Sequence, residues 1–167
     1  QPGQGKPMIR KRRYRNPRAG VTFVFAALAM VALFGAAAVS VDLGRQYVAA
    51  QRCQLVADAT ALAAAKHLPD TELAGQYANY SVQANNETHN WPSVTVADAD
   101  ITYHSPGDDI GNYGMLDTNE YAVTVTSRAS GPYTFGKALG LEDFDVSASA
   151  TALARIENDA WPAIFSG

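Results

Sequence analysis

One cysteine in 167 residues, Cys53, has no second thiol to pair with, so no intrachain disulfide can staple this fold. The three histidines, His67, His89 and His104, are scattered and share no metal-ligand spacing with that thiol. Acid is absent from residues 1–18, charge of either sign from residues 21–41, and proline from residues 18–68. Nothing in that last stretch therefore interrupts a helix. The chain also lacks a nucleophile elbow, a Gly-rich phosphate loop and paired catalytic carboxylates. These absences argue against disulfide-rich, zinc-binding and enzymatic classes, and no cofactor is expected. The length suits one domain with an accessory element.

What is present is sharply polarised. Lys6, Arg10, Lys11, Arg12, Arg13, Arg15 and Arg18 are seven of the 13 basic residues, which leaves six against 16 acids and a balance of −10 after residue 18. A block such as "RKRRYR" can neutralise phosphates, but directly before an apolar run it reads as a topology signal, so no nucleic-acid partner is expected. The 21 residues from 21 to 41 would span about 31 Å as a helix, the thickness of a bilayer core. Two alternatives are a signal peptide cut near Ser40, after "AAAVS", and a buried soluble helix. The run exceeds a signal-peptide core and is apolar on every side, which favours a permanent span. The positive-inside rule then gives a basic cytoplasmic segment at 1–18, a transmembrane helix at 19–42 closed by the charge of Asp42, and an extracytoplasmic head at 43–167. The expected chain is single-pass.

The helix has no reason to stop at the membrane. "VDLGRQYVAAQRCQLVADATALAAAKHLPD" is dominated by alanine, the best helix former, with Gly44 its weak point, and predicts one helix of about 45 residues ending near residue 67. Ala32, Ala36, Ser40 and Gly44 recur every four residues, a small-residue face that would admit another helix; plain abundance of alanine explains the same pattern. Val48, Leu55, Ala59 and Leu62 share a face of the outer half, and that face is expected to dock the head.

The segments "VDLGRQY" and "QLVADATALAAA", after an apolar span preceded by Gly20, resemble the N-terminal region of the TadE/TadG-like proteins of the Tad, or Flp, pilus system. The resemblance covers about residues 18–66. It implies a structural role in a bacterial inner membrane or a surface filament, with other pilus or assembly subunits as partners, and oligomerisation through the long helix. It singles out Asp42, Gly44, Arg45, Gln54 and Asp58, beside Ala32, Ala36, Ser40 and Leu62, as interaction residues, and Gly20 as a processing position. Pilin-type chains carry Glu at the fifth residue after that glycine; here it is Phe25. The departure points to the TadG-like branch and against cleavage.

The remainder predicts an α+β head in a pilin-like lollipop, with the long helix packed on a small antiparallel sheet. Asp70 or Thr71 would cap a second helix whose Leu73, Tyr77, Tyr80 and Ala84 share a face. Three strands are expected, in "SVTVADADITYH", "EYAVTVTSRA" and "FDVSASATALARI", with "TFGKALG" a short turn ended by Gly140. "WPAIFSG" closes the chain as an apolar segment. Asp108, Asp109 and Asp117 crowd the loop at 105–119, where hard cations would find oxygen ligands, although turns use the same residues. The alternative function is thus an exported or tethered ligand-binding module using that acidic loop, with calcium as the candidate ion.

Overall fold

The structure is a computed structural model describing residues 18–88 and 91–156. The basic segment up to residue 17, His89 and "WPAIFSG" lie outside the described residues. The first helix, α1 (Arg18–Ala65), runs 48 residues without a break, as its lack of proline and wealth of alanine dictate. Its apolar stretch is long enough to cross a membrane by length and composition. A turn then leads to α2 (Thr71–Thr88), where the Asp70 carboxylate accepts from the Leu73 N–H at 2.9 Å and caps the helix.

Four strands follow: β1 (Val94–Thr95), β2 (Ile101–His104), β3 (Glu120–Pro132) and β4 (Asp143–Arg155). The first expected strand is in fact two, separated by a 3-10 turn at Asp98–Asp100. β3 is central and antiparallel to all the others. It pairs with β4 along all 13 residues of each strand, from Glu120 opposite Arg155 to Pro132 opposite Asp143. On its other side β1 and β2 share the edge end to end, β1 at residues 128–129 and β2 at 122–125. The Arg128–Asp100 pair at 2.6 Å and the Arg155–Glu120 pair fasten the rows across the sheet.

The outer part of α1 lies along this sheet antiparallel to β3. Its start meets residues 134–136, Cys53 meets Ser127, and Ala61 and Ala64 share a core with Val123, Val125 and Ala152. The buried face consists of small residues: Ala49, Cys53, Val56, Ala57, Thr60, Ala61 and Ala64. This corrects the expected docking face, because Val48, Leu55 and Leu62 are 48%, 60% and 60% exposed. α2 behaves alike, burying Ala74 and Ala78 while Tyr77 and Tyr80 face outward. Small side chains let the backbones approach so closely that the Ser127 hydroxyl donates to the Cys53 carbonyl at 2.7 Å, inside the core. Burial raises the Cys53 thiol's pKa against the lowering effects of Ser127 and Arg52. The Thr60 hydroxyl, also fully buried, has no hydrogen-bond partner among the described residues.

Candidate functional site

The densest polar assembly sits where the apolar run gives way to the head. β3 and β4 are joined by residues 133–142, which include a 3-10 turn at Gly136–Leu139. Two glycines shape this connection. A Cβ on Gly136 would stand 2.9 Å from the Tyr133 Cβ, and Gly140 ends the turn at φ 82°, in the left-handed region. The turn thereby aims three successive backbone N–H groups at one point, an anion cradle.

Asp42 fills it. Its Oδ1 accepts from the N–H of Thr134 at 2.8 Å, and its Oδ2 from those of Phe135 at 3.0 Å and Gly136 at 2.7 Å. The side chain lies just beyond the charge-free run and is buried in the head, at 7% exposure. Burial opposes its ionisation, but the N–H groups of Thr134, Gly136 and Phe135, with the Arg45 charge, outweigh it and hold the carboxyl below the ordinary carboxylate range.

The next helical turn extends the clamp. Arg45 donates to the Thr134 hydroxyl and lays its guanidinium 4.6 Å from the ring centre of Trp91, a cation–π contact. Gln46 donates to the Tyr133 hydroxyl at 2.6 Å, and Tyr133 meets Phe144 edge-on with ring centres 5.7 Å apart. Two turns further, Arg52 donates to the carbonyls of Pro92 at 2.7 Å and Asn85 at 3.2 Å, fixing the exit of α2. Asn86 holds the start of β1, bonding the Val94 carbonyl at 2.7 Å and its N–H at 3.0 Å. A groove of about 410 Å³ beside Trp91 is lined by Tyr47, Val48, Gln51, Arg52 and Leu55. The assembly is architectural: it seats α1 on the β3–β4 connection through the Asp42 carboxylate, the Arg45 cation and the Gln46 amide.

The residues singled out from sequence separate into three groups. Asp42 and Arg45 belong to the clamp, with Gly44 exposed between them. Gln54, Asp58 and Leu62 lie on the exposed face of α1, where Gln54 donates to the Asp58 carboxylate at 2.8 Å. Gly20, Ala32, Ala36 and Ser40 lie on the exposed apolar stretch. Sequence reasoning missed Gln46, Arg52, Trp91, Tyr133 and the cradle at 134–136. Only the two glycines of "TFGKALG" signalled the last. In the acidic loop, Asp108 accepts from the Ser105 N–H at 2.7 Å and Asp109 from the Gly111 N–H at 3.0 Å, so both carboxylates act as turn caps. No group of three or more His, Cys, Asp or Glu side chains that could hold a metal gathers among the described residues.

Residues 20–67 match the Tad family model, "Putative Flp pilus-assembly TadE/G-like". The TadE/G-like region is under a third of the chain and coincides with α1 almost end to end. It therefore contributes the helical half of the clamp, while the cradle at 134–136 comes from outside it. No curated protein and no solved structure matches the chain significantly.

Proposed function

We propose that this chain is a membrane-anchored structural component of a Tad/Flp-type pilus or of its assembly machinery, working by helix packing and protein contacts rather than catalysis. The carrying observation is that the TadE/G-like match covers α1 from its apolar stretch through Asp42 and Asp58 to its end. In this reading residues 21–41 span the inner membrane with the basic segment in the cytoplasm, and the head stands outside. Phe25, where a pilin-type chain carries Glu, supports a reading nearer the TadG-like branch. The row Val48, Leu55 and Leu62, too exposed to serve the head's own core, is the surface offered to other subunits.

The full chain in native membranes tests this. It is expected in the membrane fraction, with residues 43–167 open to protease from the outside only, and to co-purify with pilus ATPase, platform or secretin proteins. Leu55→Ser with Leu62→Ser should abolish that co-purification and leave the head folded. Recovery of a soluble species beginning near Val41 would overturn the anchored reading.

A further inference from the structure

The turn that holds Asp42 also carries an apolar patch that the head does not use. Phe135, Leu139 and Leu141 are 47%, 78% and 49% exposed within seven residues, and Leu43, next to Asp42 on α1, is 57% exposed. Single exposed apolar residues are ordinary, but a cluster on one short turn marks a contact surface. Its position is fixed. Phe135 and Gly136 bond directly to Asp42, the first residue past the charge-free run. The Leu141 N–H returns to the Gly136 carbonyl at 3.1 Å, and at a 3-10 rise Leu139 lies only about 6 Å along the turn from Gly136. The patch thus sits on the turn that holds Asp42, the residue that closes the apolar run.

We propose that this turn is an interfacial lipid contact: Phe135, Leu139 and Leu141 seat in the headgroup layer of the leaflet from which α1 emerges. The proposal rests on the reading of residues 21–41 as a membrane span. Lipid is the occupant because the turn bonds Asp42, the residue that closes the charge-free run, and the residues on either side of Asp42, Val41 and Leu43, are apolar and exposed. Lys137 on the same turn presents an ammonium to lipid phosphates, and the exposed Glu142 and Asp143 that follow limit the depth to the interface. Tyr47, 67% exposed within two turns of Asp42, and Trp91, 42% exposed against the Arg45 guanidinium, supply the aromatic character of that layer. A single helix would leave the head free to swivel about its axis; the turn gives it a second foothold, and the Asp42 clamp makes the two move as one.

The test uses the full chain in vesicles of phosphatidylethanolamine and phosphatidylglycerol, with an environment-sensitive fluorophore on one introduced cysteine. The fully buried Cys53 of the unsubstituted chain supplies the labelling background. A label at Ala138→Cys should lose most of its emission to a quencher held near the headgroups, and one at Asp117→Cys, at the far end of the sheet, should not. Adding Phe135→Ser, Leu139→Ser and Leu141→Ser should restore the emission at 138. Persistence of quenching in that variant would overturn the proposal, as would an unquenched label at 138. An unquenched label that is blue-shifted only at high protein density would assign the turn to another protein copy instead. A label at Phe34→Cys with a deep acyl-chain quencher separates the two readings. If 34 is quenched and 138 is not, only the lipid contact fails; if neither is quenched, the membrane anchor fails and the contact with it.

Discussion

Residues 18–37 and residues 42–65 form one continuous helix, and both are rich in alanine, yet they treat their large side chains for opposite reasons. In the first region Phe23, Leu33 and Phe34 are 76%, 70% and 71% exposed, which suits the proposed span, where apolar side chains face lipid. In the second, Val48, Leu55 and Leu62 are exposed because the alanines and Cys53 have taken the sheet. The lesson concerns distance. A sheet whose inner face offers Val123, Val125, Ser127 and Ala129 packs closest against a helix face of small residues, and close packing is what lets hydroxyl and carbonyl groups bond across the layer.

The sharpest way to break this comparison is to place the same charge in both regions. Val31→Asp, near the middle of the apolar run, should disfavour membrane insertion by about 2.5–3.5 kcal/mol, whereas Leu55→Asp, on a solvated face, should change stability by no more than about 0.5 kcal/mol. The integrated fraction and the thermal unfolding of the full chain read these out. Equal tolerance at both positions would erase the distinction between the halves.

Size substitutions probe the second region alone. Ala61→Leu forces a large side chain between α1 and the sheet and should destabilise by about 1–3 kcal/mol. Leu62→Ala, one residue on but 60% exposed, should stay within about 0.5 kcal/mol, far from the cost of emptying a packed site. Denaturant unfolding in detergent orders the pair; a larger loss for Leu62→Ala would return the docking face to the leucines.

The junction between the regions is open to titration. Because the Asp42 carboxyl titrates below its unfolded value, its stabilisation is complete above that value, about pH 3.9, and disappears as the pH falls through the folded one. The difference in melting temperature between the wild type and Asp42→Asn should therefore be constant near neutrality and close in acid. Asp100 and Glu120, lowered chiefly by their hydrogen bonds to Arg128 and Arg155, carry the same sign but are common to both proteins and cancel. A gap that is independent of pH would remove the carboxylate from the clamp. The smallest effect is expected in the acidic loop, where calcium followed by chelator should leave unfolding unchanged; a specific site filled at about 100 times its dissociation constant would add about 2.7 kcal/mol.

By itself the sequence determined the elements that depend on local chemistry. The 48-residue helix follows from alanine and the lack of proline, the cap at Asp70 from a short carboxylate ahead of a helix, the 3-10 turn from Gly140, and β4 from strict alternation between Phe144 and Ile156. Each needs only neighbours in the chain. The tertiary structure alone decided which face of α1 is buried, since large and small faces both look amphipathic until the sheet's own side chains set the gap. It alone also brought Asp42 to residues 134–136, more than 90 positions away. Backbone N–H groups are the same in every residue, so a cradle made of them leaves no mark in the sequence except the glycines that let it bend.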